Sequence, residues 1–121
     1  MTGGMVMLQQ TQMRLQKLQV EYQQLCSQCT LLSNKATEYQ NILVALQEQI
    51  RLNPADTSLK ARYSNITQQL RSISQTISRN NAKLGTLQRQ ISVENTRLAS
   101  QQQKAMMSMY RKQNRNLYPK Y

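Results

Sequence analysis

The chain has 121 residues and a formal net charge of +11, with no Trp, Phe or His and only three Gly and two Pro. A chain so poor in aromatic core residues and turn formers has few, long elements rather than a compact, many-turned domain. With no His and no acids paired for proton transfer, it is expected not to be an enzyme, to bind no small-molecule substrate and to need no cofactor or metal.

Residues 1–6 are expected to be a flexible start, because Gly3-Gly4 disfavours helix. They carry no basic n-region, so they do not read as a cleaved signal peptide. No apolar run reaches the roughly 18–20 residues that span a bilayer. The expected location is the cytoplasm, or outside the cell by export without a cleaved signal.

Residues 7–52 are predicted to form a first helix. An unbroken heptad runs through them. Position a takes Leu8, Leu15, Tyr22, Cys29, Ala36, Leu43 and Ile50; position d takes Thr11, Leu18, Leu25, Leu32, Tyr39 and Leu46. A strict 3.5-residue repeat of this length favours a coiled coil. Off that seam stand Met13, Val20, Leu31, Ile42 and Val44. Val20, Leu31 and Ile42 are eleven apart, which keeps them on one side of a helix and marks a second face for a homo-oligomer contact, with Val44 as a further member. Cys26 and Cys29 form an isolated C-x-x-C in mid-helix. With no second pair and no His, they read as small packing residues rather than a zinc or redox site.

Residues 53–57, Asn53-Pro54-Ala55-Asp56-Thr57, are the predicted turn. Pro54 lacks an N–H and disfavours helix before it, and Asp56 or Thr57 suits a helix N-cap.

Residues 58–112 are predicted to form a second helix of the same period. Its a row is Tyr63, Leu70, Ile77, Leu84, Ile91, Leu98 and Ala105; its d row is Leu59, Ile66, Ile73, Asn80, Leu87, Glu94 and Gln101. The d row becomes polar toward the C-terminus. Folding the chain at the turn lets Ile50 face Leu59, Leu46 face Tyr63, Leu43 face Ile66, Cys29 face Asn80, Leu18 face Ile91 and Thr11 face Leu98. The expected fold is thus all-α: an antiparallel coiled-coil hairpin whose seam includes Leu15, Leu25, Leu70, Ile73, Ile77 and Leu84. Asn80 with Cys29 would be a polar layer that sets register. Ion pairs between the helices are expected to be scarce. Met5, Val6, Met7 and Met13 are expected to meet Met106, Met107, Met109 and Tyr110 and close the open end.

Residues 113–121 are expected to be a basic tail with interleaved Tyr. The charge is uneven. Residues 1–55 hold four Lys/Arg and three Asp/Glu, whereas residues 56–121 hold twelve Lys/Arg against Asp56 and Glu94 alone. Such a half attracts an acidic partner. Arg97, Lys104, Arg111, Lys112, Arg115, Tyr118 and Lys120 are the candidate contacts.

Two functions follow as expectations. One is a structural or assembly protein, a rod-like hairpin that self-associates or docks on a larger assembly such as a filament, a secretion apparatus or a virion-like particle. The other is a polyanion-binding module that takes nucleic acid on the basic helix and tail.

Overall fold

The computed structural model describes the backbone of residues 2–117 and the side chains of residues 4–113. Two helices, α1 (Thr2–Leu52) and α2 (Thr57–Leu117), pack against each other as a hairpin. No strand occurs among the described residues.

α1 begins at Thr2, ahead of the expected start at residue 7. Two glycines disfavour helix by about 1 kcal/mol each, but neither blocks a hydrogen bond, so a helix already nucleated downstream extends through them. α2 likewise runs past residue 112 to Leu117, because no proline occurs before Pro119 to stop it.

The turn forms at the predicted place and is one residue shorter. The Asn53 N–H donates to the Gln49 carbonyl (2.9 Å) and closes α1, and the Asp56 N–H donates to the Asn53 carbonyl (3.1 Å) across the turn. Asp56, not Thr57, is the N-cap. Its Oδ1 accepts from the N–H groups of Ser58 (2.9 Å) and Leu59 (3.3 Å) and from the Ser58 hydroxyl (2.8 Å). The two N–H groups are donors that the first turn of a helix leaves unpaired.

Threonines are tolerated inside both helices for a visible reason. Thr11, Thr30, Thr37, Thr67, Thr76 and Thr96 each donate their hydroxyl to the carbonyl four residues back, at 2.8–3.1 Å. The polar atom is satisfied within its own helix and needs no outside partner.

The chain divides into two units, one built from α1 up to Tyr22 with α2 from Thr86, the other from Gln23–Gly85. Within the Gln23–Gly85 unit, Leu46 (3% exposed) and Ile73 (9%) are the buried apolar residues, and Asn80 (8%) is buried with them. Leu25, Cys29, Leu32, Ala36, Tyr39, Leu43, Ile50, Leu59, Tyr63, Ile66, Leu70, Ile77 and Leu84 are half-buried around them. Within the other unit, Leu15 and Thr11 are buried, and Leu8, Leu18, Tyr22, Leu87, Ile91, Glu94, Leu98 and Gln101 are half-buried.

The contacts between helices fix the register inside each unit. The Gln47 Nε2 donates to the Tyr63 hydroxyl (3.1 Å), and the Cys29 thiol lies 4.0 Å from Asn81 Oδ1. In the other unit the Gln88 Nε2 donates to the Tyr22 hydroxyl at 3.0 Å. Each pair is one residue away from a facing pair of the heptad alignment.

The open-end methionines do not close on one another. Met5, Met7, Met106, Met107 and Met109 are all more than half exposed, as is Tyr110. The period explains this. Carried past Ala105, it puts Ser108 and Lys112 on the side of α2 that faces α1, and Met106, Met107 and Tyr110 on outward positions.

Candidate interaction surface

The seam residues and the surface residues separate cleanly by exposure. Leu15, Leu18, Leu25, Leu43, Leu46, Ile50, Leu59, Ile66, Leu70, Ile73, Ile77, Leu84 and Ile91 are buried or half-buried. Asn80 is buried and Cys29 half-buried, but the polar partner of the Cys29 thiol is Asn81, whose side chain is exposed, rather than Asn80. Cys26 and Cys29 are free thiols, and no group of three or more His, Cys, Asp or Glu gathers among the described residues.

Along α1 the outward apolar residues are uncovered. Leu31 is 68% exposed, Val44 66%, Val20 46% and Ile42 36%. Val6 and Met13 are exposed as well, at the same heptad position as Val20. An apolar side chain left in water forgoes its transfer energy, so a run of them on one helix marks a surface that gains by being covered.

Glu94 occupies a d position and is the one acid drawn into a packed layer. Its side chain is 13% exposed, with Oε1 3.0 Å from Arg97 Nη1 and Oε2 3.5 Å from Arg14 Nε on the other helix. Arg14 also donates from Nη2 to the Thr11 hydroxyl at 3.2 Å. Arg97 hydrogen-bonds Oε1, whereas Oε2 is buried without a hydrogen bond and has the Arg14 guanidinium beside it as its counter-charge. Reading acids at d positions as mere defects missed this. Its signal was Arg14 lying one residue from the position that faces Glu94.

Among the described residues, the other cations of α2 have no such partner. Among the described residues the ion pairs are Arg14–Glu94, Arg51–Glu48 and Arg97–Glu94. Lys60, Arg62, Arg71, Arg79, Lys83, Arg89, Lys104, Arg111 and Lys112 stand exposed outside them. Arg71 and Arg79 share one face of α2 with Ser74, Gln75 and Ser78, along a shallow depression. Arg97, a candidate contact for an acidic partner, pairs with Glu94 and remains exposed. The side chain of Arg115 and the whole of Tyr118 and Lys120 lie outside the described residues.

Asp56 is held well ionised. Hydrogen bonds from the Ser58 side chain and the Leu59 N–H lower its pKa below the ordinary carboxylate value. The Arg51 guanidinium does the same for Glu48, through contacts of 2.6 and 3.1 Å. Both groups are structural, at the turn and beside it.

No family model, no curated protein and no solved structure matches the chain. No helix among the described residues is long and apolar enough to cross a membrane.

Proposed function

We propose that the protein is a structural component: a coiled-coil hairpin that self-associates through the outward apolar face of α1 and presents the basic side of α2 to its surroundings. The observation that supports this most is the exposure of Val20, Leu31, Ile42 and Val44 on a helix whose other face is already packed. Two packed helices bury one stripe each, which is marginal for an isolated fold. Covering a second stripe supplies what the hairpin lacks, and an interface of roughly 1,000 Å² or more is the scale a specific assembly needs. Charge favours this choice of face. α1 is close to neutral, whereas α2 against α2 would set cation against cation.

Sedimentation equilibrium across a range of protein concentrations tests the proposal. A mass of two or more chains, lowered toward one chain by Leu31→Ser with Ile42→Ser, is the expected result. A monomer at every concentration overturns it.

A second reading rests on a different observation, the exposed cations of α2 that no ion pair engages among the described residues. It makes the protein a polyanion-binding module. Phosphate contacts release counterions, so binding to a short single-stranded oligonucleotide would fall steeply with salt. Retention of such an oligonucleotide by the protein at low salt, lost on charge removal at Arg71 and Arg79, supports this reading over the first.

A further inference from the structure

The last described part of α2 turns its apolar side outward. At 3.6 residues per turn, Met106, Met107, Met109 and Tyr110 fall within an arc of about 160°. Their exposures are 71%, 52%, 64% and 65%. Lys104, Arg111 and Lys112 occupy the rest of the circumference and are exposed, with no ion pair among the described residues. No Asp or Glu follows Glu94 in the sequence. This is a short amphipathic basic helix whose apolar side points away from α1. The α1–α2 packing leaves it exposed.

We infer that Lys104–Gln113 is a docking surface for an acidic amphipathic helix of another protein. The occupant must satisfy two features at once. The apolar arc calls for an apolar stripe, which a bare polyanion lacks. The flanking Lys104 and Arg111 call for carboxylates, which a second copy of this end cannot offer, since it carries cations alone. An anionic membrane offers both, but the large apolar side chains of residues 104–113 are three Met and one Tyr rather than the Trp, Phe and Leu through which interfacial helices anchor, and the vesicle arm of the test below separates the two. Methionine is instead the side chain that conforms to partner helices of varied shape. The surface is separate from the α1 face, so it stands whether or not the chain self-associates.

The experiment uses the full chain and two synthetic peptides of about 20 residues. One places Leu at helical spacing among Glu residues; the other scrambles the same composition so that no apolar face forms. Fluorescence anisotropy reads binding. The inference expects the amphipathic peptide to bind at least about tenfold tighter than the scrambled one. Met106→Ser with Met107→Ser and Tyr110→Ser should abolish that preference, and Lys104→Gln with Arg111→Gln and Lys112→Gln should weaken both peptides. These side chains are exposed, so helix content by circular dichroism and oligomer mass should not change. Equal binding of the two peptides, or a triple Ser variant that keeps the preference, overturns the inference. So does binding to vesicles containing phosphatidylserine without binding to the amphipathic peptide, which would assign the surface to a membrane.

Discussion

Arg14 reaches across from α1 to Glu94 on α2, with Nε 3.5 Å from Oε2, at a layer where the heptad calls for an apolar residue. Arg97 holds the other carboxylate oxygen from within α2. The arrangement ties one residue of each helix to a single alignment, since a slip of either helix would strand a nearly buried charge.

The Arg14–Glu94 coupling is measurable. In a double-mutant cycle with Arg14→Gln and Glu94→Gln, the interaction should be about 1 kcal/mol, because Glu94 is shielded while Arg14 remains half exposed. Urea unfolding of the four proteins gives the value. Additive effects would mean that the pair does not contribute to stability.

Seam and surface positions of α1 should respond differently to truncation. Leu46 is 3% exposed, so Leu46→Ala should cost about 2–4 kcal/mol. Val44, two residues away and 66% exposed, should cost less than about 0.5 kcal/mol in the isolated hairpin. Chemical denaturation at low protein concentration makes the comparison; equal losses would contradict the packing described.

Asp56 adds a pH-dependent increment. Its folded-state pKa lies below the unfolded value, so its contribution is fully present above the ordinary carboxylate pKa and is lost as pH falls through the folded one. Asp56→Ala should therefore lower the melting temperature near neutral pH. The gap to wild type should close in strong acid. A gap that stays constant with pH would show that the ionised cap is irrelevant.

Asn80 is buried at 8% exposure among apolar layers. If it sets register, Asn80→Leu should raise stability by about 1 kcal/mol while yielding more than one alignment or oligomeric state. Native mass spectrometry with cross-linking reads both. One alignment and one mass in the variant would remove the register role.

Much of the two-helix form is legible in the sequence. Every a and d position from Leu8 to Gln101 is buried or half-buried, and Pro54 with Asp56 marks the turn. What escaped has a common cause. A binary pattern registers Glu94 as a flaw because it is blind to a long side chain arriving from the facing helix. It likewise misses the Gln47–Tyr63 and Gln88–Tyr22 bonds, where a phenol packs with its ring and is satisfied by a glutamine across the seam. The methionines were misplaced for a different reason. Grouping them as apolar near the open end ignored that Met106, Met107 and Tyr110 sit on the outward side of α2.

The most direct test of the central claim is molar mass in solution by light scattering, at low and high salt. Self-association through the apolar face of α1 predicts a stable oligomer whose mass does not fall as salt rises, because apolar burial is not screened. A monomer in both conditions, or a complex with co-purifying nucleic acid that salt dissolves, would contradict it and leave the basic side of α2 as the working surface.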